Sequence, residues 1–254
     1  MENGRAGKVK KKKKEAEDME QELLQEIASY WGTRAEGYSE VNEKELAGSQ
    51  REAWLHVLEE QFPEKKKEEM KILDIGTGPG FFPMILSEAG YTVAAVDYTE
   101  EMLEKAKENL GKYTKYGLER VTLQRMDAQN LEFADETFDV VISRNLTWTL
   151  PHVRHAYQEW LRVLKKGGVL LNFDANYGIT DFSNVEDLPE NHAHNTLGND
   201  MMRECEEIKR QLPISSYSRP AWDLETLGSM EVKDFRVDLG ISSRIYLEKD
   251  EFYN

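Results

Sequence analysis

The segment Ile72-Leu73-Asp74-Ile75-Gly76-Thr77-Gly78-Pro79-Gly80-Phe81 runs an apolar stretch straight into a glycine turn, and the residues that follow open a helix. A strand that passes through such a turn into a helix aims main-chain N–H groups at one point, which is a nucleotide-handling geometry. Glycine is needed where a ligand approaches the main chain too closely to leave room for a Cβ. Spacing narrows the ligand. A dinucleotide fingerprint would put its third glycine at position 81, which Phe81 occupies. Asp74, at the strand end, would repel a pyrophosphate but suits a ligand presenting an ammonium group. Asp97 ends the next apolar run, 21 residues after Gly76. It is placed to accept hydrogen bonds from both hydroxyls of a ribose.

From residue 71 onward short apolar runs alternate with amphipathic stretches, the pattern of a parallel sheet with helices on both faces. Strands are expected at Lys71–Ile75, Thr92–Asp97, Arg120–Arg125, Phe138–Ser143 and Val169–Asp174. Helices are expected at Phe81–Ala89, at Glu100–Leu110 with Thr99 as N-cap and Gly111 just past the end, and at Val153–Lys166, stopped by Gly167-Gly168. The fold class is therefore α/β, a doubly wound three-layer sandwich. Ahead of the sheet, 16–62 reads as a helical cap with helices at 16–31 and 49–61 and a polar loop at 32–41. The core takes 63–175 and 221–254, and the long mixed segment 176–220 reads as an inserted lid. A short helix at 222–229 and a strand at 231–239 follow. Either Ser243–Glu248 is an antiparallel final strand or that strand lies beyond residue 254, giving a seven- or six-stranded sheet.

Charge and cysteine content exclude several classes. Lys and Arg number 33 against 48 Asp and Glu, a net charge of −15, which disfavours a polyanion as main partner because phosphate binding needs a positive surface. The exception is the basic run within 1–15, Arg5, Lys8 and Lys10 to Lys14. It reads as a disordered, solvated tail, or as an arm that touches RNA or an anionic membrane. The single Cys205 rules out a disulfide framework and a cysteine-rich metal site. No run approaches the length of a membrane span, and the polar N-terminus is unlike a secretory signal. A cytoplasmic protein, monomer or homodimer, is the expectation.

The order D-I-G-T-G-P-G, V-A-A-V-D-Y, Met126-Asp127-Ala128, F-D-V-V-I-S and L-R-V-L-K-K-G-G-V-L-L resembles the class I S-adenosylmethionine-dependent methyltransferases. The likeness is strongest to the branch that includes the ubiquinone and menaquinone C-methyltransferases, over about residues 30–175. Lys166 departs from it, standing where that family usually has proline. The resemblance implies a Rossmann-like methyltransferase sheet and S-adenosyl-L-methionine as cofactor. Asp74 and the backbone of Gly76, Thr77, Gly78 and Gly80 would hold its methionine end, and Asp97 its ribose. Tyr98 and Met102 would flank the adenine, Asp127 would accept from its amino group, and the Ala128 amide would meet the ring. Arg144 and Asn145 would line the methionine side. Tyr30, Trp31 and Tyr38 would close over the cofactor, and Arg34 would pair with its carboxylate.

The acceptor is less defined. Trp148, Asn176 and Tyr177, with Trp31 and the lid, are candidates for its pocket, and Trp148 reads equally well as core packing. A base is needed only if the acceptor must lose a proton; His152, Asp174 and the lid's His194 are the candidates. His192 and His194 form H-x-H, which also occurs in metal sites, but ligand number and geometry are unconstrained here and no metal is expected. The first reading is methyl transfer to an O, N, S or activated C atom of a small-molecule acceptor. An RNA or protein methyltransferase and a non-catalytic cofactor-binding regulatory module are the alternatives. Ser-Arg-Asn-Leu at 143–146, in place of the Asn/Asp-Pro-Pro-aromatic motif of amino-methylating nucleic-acid enzymes, speaks against the first of these.

Overall fold

A computed structural model of the protein describes residues 2–180, 198–230, 232 and 234–246, with side chains from residue 14 onward except 15–17. Five strands form one sheet in the order β3-β2-β1-β4-β5: β1 Lys71–Ile75, β2 Thr92–Asp97, β3 Val121–Arg125, β4 Phe138–Arg144 and β5 Leu164–Phe173. Every pairing is parallel, so the helical crossovers cover both faces. Alternation along the strands divides the core in two. Leu73, Ile75 and Val141 point to one face, and Ile72, Val140 and Ile142 to the other.

The crossover helices are α3 Phe81–Glu88, α4 Glu100–Tyr113 and α6 Val153–Val163, with the single turn α5 Gly117–Arg120 before β3. Gly111 lies inside α4 rather than beyond it. The last turn of α4 is held by tertiary contact, the Tyr113 hydroxyl donating to Glu43. Likewise α6 ends earlier than expected, and Gly167-Gly168 fall within β5. Gly167 has φ +80°, and the register against β4 slips between Phe138 and Val140, so the two glycines build a bulge.

The largest correction concerns the N-terminal part. α1 runs unbroken from Glu2 to Leu46, so the backbone of the basic run is helical and the expected loop at 32–41 is the middle of a helix. Gly32 and Gly37, two of the four glycines in α1, cost the helix about 1 kcal/mol each. Tertiary contacts offset that cost: Tyr30, Arg34, Ala35, Ser39, Asn42 and Leu46 form a buried face. Lys105 pairs with Glu36 at 2.6 Å, and Asn109 Nδ2 donates to Ser39 Oγ at 2.8 Å. The short helix α2 Gln50–Glu59 follows and buries Trp54, Val57 and Leu58.

After β5 come α7 Asn199–Gln211, which packs on α1, α8 Ala221–Gly228 and α9 Ile241–Tyr246. No strand occurs among the described residues after β5. The alternation Phe235, Val237, Leu239 meets nothing that would bury it, and Leu239 is 84% exposed. Within the span expected as a strand at 243–248, the described residues 243–246 belong to α9 instead, which packs Ile245 and Ile241, one helical turn apart, against α2. Among the described residues no helix is long and apolar enough to cross a membrane.

Candidate active site

The glycine turn sits at the carboxyl end of β1, between the ends of β2 and β4. Its first two amides, Gly76 and Thr77, donate to Val96 O at 2.8 and 3.0 Å, locking the turn to β2. Gly76, Gly78 and Gly80 all have positive φ, +67°, +52° and +87°. A Cβ on Gly80 would sit 3.3 Å from Ala106 of α4, so this glycine permits close helix packing. A Cβ on Gly78 would meet nothing nearer than Met102 Sδ and Tyr38 Cε1 at 3.9 Å; the space it leaves open belongs to a cavity.

That cavity opens to solvent at the carboxyl ends of β1, β2 and β4, where small-molecule sites of open parallel sheets lie. Gly76, Gly78, Asp97, Tyr98, Met102, Asp127, Ala128, Arg144 and Asn145 line it, as do Trp31 and Tyr38 of α1. The Asp97 carboxylate accepts from Gly78 N at 2.8 Å and Thr99 N at 2.9 Å. Burial pushes its pKa up, and those amide bonds oppose the shift. Asp127 accepts from Gln129 N at 2.8 Å and Asn130 Nδ2 at 2.9 Å. Trp160 Nε1 donates to Ala128 O at 2.9 Å, fixing the segment from below. Asp74 in β1 and Thr77 and Gly80 in the turn do not border the cavity. Asp74 is buried behind it, and burial lifts its carboxyl to about 7.

At the β4 end Asn145 takes φ +55°, and each of its polar atoms has a partner. Its N–H donates to Phe173 O at 2.8 Å, and its carbonyl accepts from Trp148 Nε1 at 2.9 Å. The side chain donates to the Tyr38 hydroxyl at 3.2 Å and accepts from Tyr177 at 3.4 Å. A non-glycine residue held left-handed this way is strained, a condition that clusters at functional sites. Beside it, Arg144 Nη2 donates to both carboxylate oxygens of Glu45 at 3.1 and 2.8 Å.

Other expected residues lie elsewhere. Tyr30 and Arg34 do not reach the cavity: Arg34 Nη1 donates to the Tyr30 hydroxyl at 3.2 Å, and its guanidinium packs on Tyr30, Trp31 and Tyr38. An arginine satisfied by three rings inside the α1 face is not offered to a ligand. Trp148 is buried, 5.5 Å from the Tyr177 ring and 5.9 Å from Trp31; it backs the cavity wall without forming it. Asn176 Oδ1 is buried without a hydrogen bond among the described residues. His152 is a half-exposed surface residue paired with Glu20 at 3.1 Å. Asp174 is buried and committed: it accepts from Thr147 N at 2.9 Å and from the Thr147 hydroxyl, and lies 3.3 Å from Arg219 Nη1. His192 and His194 lie outside the described residues.

Sequence reasoning missed part of the lining. Leu24, Ile27 and Ala28, with Trp31, form an apolar wall from α1, and Leu146, Thr149 and Leu150 add to it from beyond β4. The spacing i, i+3, i+4, i+7 in α1 was a readable signal. Glu45 and Arg219 carried none, because each acquires its meaning from a partner distant in the chain.

Residues 73–172 match the family described as "Methyltransferase domain". The chain is 37% identical over 99 residues to a phosphatidylethanolamine N-methyltransferase of Cereibacter sphaeroides, covering 39% of this chain and 47% of that protein. It is 33% identical over 168 residues to the demethylmenaquinone methyltransferase of Leptospira interrogans, 62% of this chain and 64% of that one. The chain thus spans about half of the first relative and under two thirds of the second. Among solved structures, it aligns with a Methanococcus maripaludis protein provisionally described as an S-adenosyl-L-methionine-dependent methyltransferase (TM-score 0.57, 19% identity, 82% of this chain and 88% of the other). It also aligns with phosphoethanolamine N-methyltransferase 2 of Haemonchus contortus in complex with S-adenosyl-L-methionine (TM-score 0.51, 24% identity, 78% and 43%). These two likenesses establish the fold.

Proposed function

We propose that this chain, which carries an S-adenosylmethionine-dependent methyltransferase domain across residues 73–172, moves a methyl group from that cofactor to a small-molecule acceptor. The observation that carries the reading is the cavity's charge layout. Asp97 ends β2 and Arg144 ends β4, on either side of β1 and the glycine turn. Two strand spacings put about 10 Å between them. An acid able to take a diol, a glycine floor and a cation able to take a carboxylate, in that order, fit the ribose-to-carboxylate axis of the cofactor.

In this arrangement Asp97 would accept from the ribose hydroxyls, and Tyr98, Met102 and Ala128 would border the base, whose amino group Asp127 would accept. Arg144 would pair with the carboxylate in place of Arg34, and Asp74, buried behind the cavity, would act on the ammonium through space. The cofactor supplies a methyl group already activated on a sulfonium, so the protein's task is alignment for in-line displacement. Proximity and orientation can contribute on the order of 7–11 kcal/mol. Trp31 and the apolar wall of α1 would exclude water and bound the acceptor, which suits a compact molecule. The net charge of −15 argues against a nucleic-acid substrate. The single buried Cys205 suits a reducing compartment such as the cytoplasm.

Titration calorimetry with S-adenosylmethionine, S-adenosylhomocysteine and NAD tests the assignment. Saturable one-to-one binding of the first two and none of NAD is the expected result. NAD binding alone would overturn it, as would a folded protein that bound neither sulfur compound.

A further inference from the structure

The Glu45 carboxylate is where four elements meet. It lies at the last turn of α1, its side chain 9% exposed. It takes Trp54 Nε1 of α2 at 2.7 Å, Arg144 Nη2 of β4 on both oxygens, and the Tyr246 hydroxyl of α9 at 3.3 Å. Arg144 is held from the other side by rings, its guanidinium 3.9 Å from the Phe81 ring centroid and 5.0 Å from that of Trp54. An arginine fork gripped through one nitrogen and pressed against an aromatic face has lost most of its rotamers. Among the described residues its Nε and Nη1 donate no hydrogen bond, although the residue borders the cavity. A fork with one prong spent and the rest at a cavity wall is set to take a second carboxylate.

We propose that Glu45 is a positioning residue that aims Arg144 at a carboxylate-bearing ligand and so couples the end of α1 to recognition of the ligand's acidic end. The proposal rests on the cofactor reading above and deepens it. α1 also supplies the Trp31 and Tyr38 walls of the same cavity, so one helix both covers the ligand and, through Glu45, sets the group that selects it. Without Glu45 the guanidinium would remain near Phe81 but lose its fixed direction. The loss should therefore fall on ligands that carry the carboxylate and spare those that lack it.

The test compares S-adenosylmethionine with decarboxylated S-adenosylmethionine, which keeps the sulfonium, the amine and the nucleoside. Calorimetry on wild type, Glu45→Gln and Arg144→Lys would be accompanied by thermal unfolding of each. Wild type should prefer the carboxylate form by at least about tenfold, the order expected for a hydrogen-bonded charge pair. Glu45→Gln should lose most of that preference while its affinity for the decarboxylated form stays within about twofold. Arg144→Lys, which keeps the charge but not the fork, should do the same and serves if Glu45→Gln does not fold. Equal losses for both ligands would mark Glu45 as merely structural and overturn the proposal, as would an unchanged preference in the variants. Wild type binding both ligands equally would overturn the proposal alone, whereas wild type binding neither would overturn the cofactor reading along with it.

Discussion

The Asp97 carboxylate accepts the Gly78 amide proton at 2.8 Å, so the end of β2 shapes a turn 19 residues earlier in the chain. The same group accepts from Thr99 N at the start of α4, and one carboxylate therefore fixes both walls between which a nucleoside would lie. Asp97→Ala should reduce S-adenosylmethionine affinity by roughly a hundredfold or more, since it removes charge-assisted bonds to two ligand hydroxyls. It should also cost about 1–3 kcal/mol of stability through the two amides left without an acceptor. Asp97→Asn should recover more of the stability than of the affinity. Calorimetry and thermal unfolding of the three proteins separate the two effects. Affinity unchanged in Asp97→Ala would mean that the ribose is held elsewhere.

The glycines of the turn should divide into those that serve the fold and those that serve the ligand. Gly78→Ala would put its methyl into open space 3.9 Å from its nearest neighbours. Its stability cost should be limited to the left-handed backbone, about 1–2 kcal/mol, while binding is lost because the methyl occupies the ligand's approach. Gly80→Ala carries the same backbone cost and pushes on Ala106 at 3.3 Å, so it should lower the melting temperature further. Comparable melting temperatures for the two variants, or retained binding in Gly78→Ala, would contradict this division.

What was legible in the chain follows from the range of the forces involved. The central strands β1, β2 and β4 could be read because each is a short, largely apolar run, and buried parallel strands need no other instruction. The edge strands β3 and β5, which bury no residue fully, were read from their place in the strand–helix alternation. The acids at strand ends were legible for a related reason: a carboxylate that closes an apolar run has nowhere to go but the sheet edge. α1 was misread at Gly32 and Gly37 because local propensity opposes a helix there. The deciding contacts, such as that of Ser39 with Asn109 70 residues on, lie outside any local window. Glu45 was invisible for the same reason, standing 99 residues from Arg144. At Phe235, Val237 and Leu239 the alternation misled, because a period of two states which face a residue takes and not whether a neighbouring strand exists to pair with.

Asp174 illustrates how a sequence-level candidate base becomes a structural group. It is buried with Arg219, which also donates to Asp223 at 2.8 and 2.7 Å, and Asp223 in turn accepts from Tyr157 at 2.6 Å. Removing Asp174 leaves Arg219 paired with Asp223 but strips the buried Thr147 amide and hydroxyl of their acceptor, at a cost of about 1–3 kcal/mol. Asp174→Ala should therefore lower the melting temperature by roughly 2–12 °C for a domain of this size, with S-adenosylmethionine affinity little changed at temperatures where it is folded. His152→Ala, which removes only the half-exposed pair with Glu20, should shift stability by no more than about 1 kcal/mol and leave cofactor affinity intact. A large affinity loss in His152→Ala, or a stable Asp174→Ala, would reverse these assignments.

Asp74 should couple cofactor binding to pH. Burial is the main cause that lifts its carboxyl from 3.8 to about 7, with Asp97 adding to the shift and Arg144 and Thr77 opposing it. In the ligand-free fold the group keeps a proton that the unfolded chain gives up near its ordinary value. Its contribution to stability therefore falls as the pH rises from about 4 to about 7 and is constant above that. A ligand ammonium held in the cavity in front of Asp74 would favour the carboxylate through space and draw the folded pKa back down, so binding would expel the proton. Affinity for S-adenosylmethionine should rise with pH between about 5 and 7, by at most tenfold per pH unit, below the range where an α-amino group itself deprotonates, about 7.7–8.0. Calorimetry near pH 6 in buffers of different ionisation enthalpy counts the protons released, with a value approaching one expected for wild type and none for Asp74→Asn. Equal proton release in the two proteins would assign the coupling to another group and separate Asp74 from the ammonium.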